Sequence, residues 1–447
     1  MSTRPTSEAP EDARLQGAGA PPAGRGPWGG YPGAEAEQSG PWLQRTFRSL
    51  GNTEFRFLWI GSLLAMGAMQ SMAFAQGFYV YELTGDPKLL GVVTAANGVP
   101  GLGLSLFGGV FVDRWEKRAI IQVSQVLFAI MALSIALLIY TGAIHWTHLM
   151  VAAFIQGCIM PFMMPARQAI VPQVVPRHLI MNAAALSAMV MSATTMAAPA
   201  IAGPFAGWMG MHMLYVLIGG MNIASFAFTT QVHKHYPEGG PSGRSPLGDI
   251  VLGFQYIRRD TVIMLLLIMG IVQVMMMAPI RFVMPLLARD DFNVEEAGLG
   301  FMLAVLGLGS MGGALLVAGL KRARYRGRLL VVSAIVSGLT LIGFAAVAEF
   351  IPLFIPGLVV LAVVGLIQSA RMTLQASLTL EYVDPTYRGR VMSIQGLMWG
   401  LMPIGVLPLT VIADYWGAPA GLAALAVTFI LIATIVLIFS PTMRRLH

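Results

Sequence analysis

GGVFVDRWEKR, residues 108–118, decides how the rest of the chain is read. Long apolar runs lie on both sides of it. Its last six residues hold five charges: Asp113, Arg114, Glu116, Lys117 and Arg118. A glycine pair followed by a tight charge cluster, set into apolar sequence, is the pattern of two membrane-crossing helices joined by a short polar loop.

Composition agrees with that solvent. Of 447 residues, 56% are hydrophobic and 11% are charged, whereas average soluble domains carry roughly 25% charge. The mean hydropathy is +0.71. The 28 basic and 21 acidic residues leave a formal charge of +7. In a soluble protein that excess would suggest nucleic acid. Here basic residues are expected in cytoplasmic loops, and no basic stripe interleaved with aromatics occurs, so no nucleic-acid partner is expected. Cys158 is the single cysteine and forms neither an intrachain disulfide nor a metal site.

A helix needs about 20 mostly apolar residues to cross the hydrocarbon core. Twelve such runs lie near 57–82, 88–112, 119–141, 148–171, 182–206, 213–231, 261–287, 298–320, 329–348, 352–380, 391–413 and 418–440. They are continuously apolar rather than alternating, which favours helices over a barrel. The expected fold class is an all-α membrane protein of twelve transmembrane helices. With the N-terminus inside, 21 basic residues fall in segments on the cytoplasmic side and two, Lys88 and Arg289, in outer loops. This split predicts a multi-pass protein of the cytoplasmic membrane with both termini cytoplasmic.

The chain then divides into a Gly-, Pro- and Ala-rich tail at 1–50, expected to be disordered rather than a signal peptide, a six-helix half at 51–231, a cytoplasmic linker at 232–260, a second half at 261–440 and a short tail at 441–447. In the linker, LGDIVLGFQYIRRD (247–260) reads either as an interfacial helix or as an extension of the seventh span.

The halves repeat. Gly109, Arg114 and Arg118 recur 210 residues later as Gly319, Arg324 and Arg328, while Asp113 becomes Ala323. LTGDPKLLG ends in Gly91 and FNVEEAGLG in Gly300, 209 residues on. VPRHLIMN around Pro176 and DPTYRGRVMS around Pro385 share that offset. Three matches at one spacing, in corresponding loops, point to duplication of a six-span unit. Parallel halves of this kind occur in secondary transporters, with the substrate between them.

On these residues the chain resembles the major facilitator superfamily, over about residues 52–440. The loop motif G-x-x-x-D-R-x-G-R-[RK] is matched by Gly109, Asp113, Arg114, Lys117 and Arg118, with Glu116 where Gly is usual. FRFLWIGSLL (55–64), YELTGDPKLLG (81–91), PARQAIVPQVVPRHLIMNAAAL (165–186) and RGRVMSI (388–394) resemble the bacterial branch of enterobactin-type siderophore exporters and macrolide-efflux proteins. APAIAGPFAG (198–207) is similar to the family's antiporter motif through Pro199, Gly203, Pro204 and Gly207, with Ala198 at its first Gly. Ala153 replaces the Arg that often precedes Gln156-Gly157 in proton-coupled drug antiporters. The resemblance therefore implies a transporter, and antiport only in part.

Asp113, at the cytoplasmic end of the second span, is expected to latch the halves by pairing with an arginine or a helix N-terminus in one state; a solvated loop end is the other reading. Gly109 permits close helix approach. Candidates for the substrate cavity are Gln70, Gln76, Asn97, Gln156, Gln273, Arg281, Gln368, Arg371 and Gln375, although such amides also join helices. Arg281 and Arg371 face a cavity or snorkel to an interface. If they face the cavity without a carboxylate, an anionic substrate fits better than a cation. No carboxylate falls mid-span, so a coupling proton is possible but has no evident site. The adjacent histidines of HWTH (145–148) lack further metal ligands, and no catalytic motif is present.

The expectation is a monomeric secondary transporter without cofactor or metal, exporting a small amphipathic molecule across the lipid bilayer by alternating access. An importer or lysolipid-type flippase of the same fold is the alternative. A non-transporting sensor or an intramembrane enzyme is the alternative of another class.

Overall fold

The computed structural model describes residues 47–233, 255–258, 260–319, 326–384, 391 and 401–439. Among these residues there is no strand. The helices are α1 (Thr53–Thr84), α2 (Pro87–Arg114), α3 (Lys117–Tyr140), α4 (Trp146–Val174), α5 (Ile180–Met209), α6 (Met211–Thr229), α7 (Thr261–Met276), α8 (Ile280–Leu286), α9 (Glu296–Gly319), α10 (Arg326–Phe350), α11 (Phe354–Tyr382), α12 (Met402–Trp416) and α13 (Ala418–Phe439). Ten segments among the described residues are long and apolar enough to cross a membrane. Helices α2 and α12 occupy the places of the second and eleventh expected spans.

Local chemistry sets the ends. Asn52 caps α1 by accepting from the Phe55 N–H at 3.1 Å. Asp86 caps α2 by accepting from the Lys88 N–H at 2.7 Å, with Pro87 pre-set in the first turn. The turns also carry the duplication. Gly85 and Asn293 are both left-handed, φ 60° and 51°, after corresponding helices. Gly210 and Gly417, both at φ 84°, join α5 to α6 and α12 to α13.

Two expectations need correction. The seventh span is not one helix. It runs as α7, a break at Met277–Pro279, α8, and a π-helical turn Leu287–Asp291. Proline lacks the N–H that would continue the ladder, and an apolar run does not reveal that. Arg167, within the fourth expected span yet among the 21 bases counted to the cytoplasmic-side segments, is a buried residue of α4. The linker helix lies almost wholly outside the described residues, apart from a helical stretch at 255–258. Residues 392–400 of the eleventh span lie outside them too.

Equivalent helices pair in the two halves. Helix α2 lies against α4 as α9 lies against α11, and α3 against α6 as α10 against α13. The closest approaches match: a Cβ at Gly157 would overlap the Asn97 carbonyl, and one at Gly365 would overlap that of Leu306. Such contact lets backbones pack in a solvent that supplies no hydrophobic drive between helices.

Candidate functional site

The halves meet toward one face of the bundle, the one away from the basic connections, such as α2–α3 and α4–α5. Two crossings form this closure. On one edge α5 runs against α9: a Cβ at Gly203 would meet Glu296 O and Gly300 Cα, and one at Gly300 would lie 2.6 Å from Pro199 O. Gly207 continues the same stripe toward Glu296. On the other edge Gly91 of α2 meets the Thr410 side chain of α12. Lys88 Nζ, one turn from Gly91, pairs with Asp414 at 2.5 Å. Gly91 and Gly300 are the positions that the 209-residue offset equates, so the two crossings are copies of each other.

Between the edges, α1 meets the broken seventh span. Pro285 Cγ lies 3.7 Å from the place of a Cβ on Gly77. One turn on, the Tyr81 hydroxyl donates to Asp290 Oδ2. Tyr81 and Asp290 are themselves 209 residues apart. Equivalent positions that touch must lie near the axis relating the halves, so this hydrogen bond marks that axis at the closed face.

Arg281 is one turn before Pro285 on the seventh span, and helical spacing puts both on the side of α8 that faces α1. The halves touch at Pro285, and Arg281, one turn away on the same side, is exposed. Arg371 of α11 is completely buried; its Nε, Nη1 and Nη2 have no hydrogen-bond partner, and its guanidinium lies 4.9 Å from the centre of the Phe429 ring.

Most of the candidate amides join helices within one half. Gln70 donates to Thr195 Oγ1 at 2.8 Å and Gln76 to Leu149 O at 2.7 Å. Asn97 donates to Gln156 Oε1 at 2.9 Å. Gln368 donates to Met277 O at 3.1 Å and Gln375 to Leu266 O at 3.0 Å. These last two tie α11 to both ends of a three-turn stripe from Leu266 on α7 to Met277 just past its end. Gln273 is buried on that stripe.

In the opening motif, Gly109, Asp113 and Arg114 complete α2, and Lys117 and Arg118 begin α3. Glu116 sits at φ −63°, ψ 114°, which any L residue adopts, so the turn does not need the family's glycine. Arg118 Nη2 donates to Thr230 O at 3.1 Å, at the end of α6. A cation there complements the helix C-terminus. The side chains of Asp113, Arg114 and Arg328 are not described; Gly319 is the last residue of α9, and Arg324 lies outside the described residues. His145 and His148 cap α4: the His145 N–H donates to His148 Nδ1 at 3.0 Å.

Sequence reasoning missed Tyr81, Asp290 and Asp414 as contacts between the halves, and Arg167, whose Nη1 donates to Ser62 Oγ at 2.9 Å. The repeat offset applied to Tyr81 leads straight to Asp290.

The Major Facilitator Superfamily profile matches residues 58–406 and 266–446. Macrolide efflux protein A of Streptococcus pyogenes is 25% identical over 377 residues, covering 81% of this chain and 90% of its own. The enterobactin exporter EntS of Shigella boydii serotype 4 is 22% identical over 353 residues, covering 78% and 82%. The crystal structure of a bacterial homolog to the human lysosomal transporter Spinster, inward-facing and unoccupied, shares the fold. Its TM-score is 0.68 at 13% identity, over 86% of this chain and 95% of that one.

Proposed function

Because the chain belongs to the Major Facilitator Superfamily and is a membrane transporter rather than an enzyme, we propose that it exports a small amphipathic, drug- or siderophore-like molecule by alternating access. The carrying observation is the closure between the halves, made by α5 against α9, α2 against α12, and Tyr81 on Asp290. The named contacts between halves are small residues, one hydrogen bond and one ion pair. Such an interface can part and re-form as the halves rock. Export follows the names of the macrolide-efflux and enterobactin-exporter relatives.

In this proposal the basic connections and both termini face the cytoplasm of a cell membrane. The conformation is then closed outside and open inside. The protein works as a monomer with a proton as coupling ion, and Asp113 with the motif around Gly109 latches the opposite state. Gln273, Arg281 and Arg371 are the cavity candidates whose side chains make no hydrogen bond within their own half among the described residues.

The test joins the closure covalently. Gly91→Cys with Thr410→Cys, whose Cβ positions lie 3.2 Å apart on the same edge, is oxidised in proteoliposomes in a Cys158→Ser background. Flux is followed with and without an imposed pH gradient. Oxidation is expected to stop flux and reduction to restore it, with flux responding to the gradient. Flux at the unmodified rate through the cross-linked protein rejects alternating access through this closure.

A further inference from the structure

Deep charge in this bundle has one sign. Among the described residues every carboxylate lies in a connection or within two residues of a helix end; Glu54, Glu82, Asp113, Glu349, Glu381 and Asp414 are those inside helices α1–α7 and α10–α13. The arginines go further in. Arg371 is eleven residues from the end of α11, about 16 Å at 1.5 Å per residue. Arg281 is ten residues before Asp291, about 15 Å on the same rise.

The two lie along the same span, the seventh. Gln368 and Gln375, three residues before and four after Arg371, both donate to carbonyls of the stripe on α7. That spacing puts Arg371 on the same side of α11, behind α7, with Phe429 of α13 against its guanidinium. The upper anchor of that stripe, Met277, begins the break in the seventh span. Arg281 stands four residues beyond Met277, on the open side. The seventh span thus has an exposed cation just past its break and a buried one without a hydrogen-bond partner behind the middle of α7. Burying a guanidinium with three unsatisfied nitrogens opposes stability and is not explained by packing alone. A cationic substrate entering here would meet repulsion with no carboxylate to offset it.

We infer that the transported molecule is an anion carrying a carboxylate, phosphate or ionised phenol, that Arg281 contacts it first, and that Arg371 is the second charge drawing it to the break in the seventh span. This rests on the export reading above. The class of substrate is fixed by charge, while its shape is left to the apolar walls. The same arrangement disfavours a drug-like cation.

The experiment uses the full chain in proteoliposomes and three probes on one fluorescent aromatic scaffold, bearing a carboxylate, a carboxamide or a trimethylammonium group. Rates in protein-free vesicles are subtracted. Carboxylate flux is expected to exceed trimethylammonium flux at least tenfold. Arg281→Gln is expected to lose that preference and Arg281→Lys to keep part of it. Arg371→Met is expected to raise the melting temperature in detergent while carboxylate flux falls at least fivefold; a merely structural arginine would not separate the two readouts. Preference for the trimethylammonium probe overturns the inference and leaves transport standing. So does unchanged carboxylate flux in both Arg281→Gln and Arg371→Met. If Arg371→Met does not fold, the Arg281 pair decides alone. Failure of all three probes in the unaltered chain rejects the transport reading, and the inference with it.

Discussion

Tyr81 and Arg371 are limiting cases for single residues. Tyr81 holds the closure through one hydroxyl. Tyr81→Phe keeps the ring and removes that bond, which is worth about 1 kcal/mol and so about a fivefold change in equilibrium. Distances between spin labels across the closed face should show the open population rising by that factor. Arg371 was visible in the sequence because a charge inside an apolar run cannot be overlooked. Its lack of any partner was not, since partners come from α7 and α13 and no local pattern names them. The amides fared similarly. A glutamine in a span announces a polar contact without saying whether it points at a substrate or at the next helix, and six of the nine candidates bond within their own half. At Asp113 the expectation is still functional: Asp113→Asn should insert normally, by membrane fractionation, and lose most flux in the proteoliposome assay.

At the scale of elements, hydropathy placed the helices to within a few residues and the repeat offset paired them. The break in the seventh span escaped because Pro279 sits in uniformly apolar sequence, where helix and interruption look alike. Arg167 was counted with the cytoplasmic-side bases for the complementary reason: a charge near the end of an apolar run looks like its boundary. Glycines separate two kinds of helix contact. Gly157 packs α4 on α2 within one half, so Gly157→Ala should lower the melting temperature by several degrees. Gly203 packs α5 on α9 between halves. Gly203→Ala should leave the melting temperature nearly unchanged and shift spin-label distances toward separation of the closed face. Equal loss of stability in both variants would contradict this division.

For the whole molecule, the two-half plan was legible because duplication leaves the same residues at one spacing. The direction of closure was not, since it depends on which ends of equivalent helices touch. The closure is also unequal at its two copied edges. On one, backbone meets backbone through Gly203 and Gly300; on the other, Lys88 and Asp414 pair where water reaches both side chains. Dissolved ions weaken only the second kind of contact. The protein thus resembles a door with a jamb and a catch. Raising ionic strength on that side should lengthen distances across α2 and α12 before those across α5 and α9. The molecule then opens by swinging about its glycine edge instead of parting evenly.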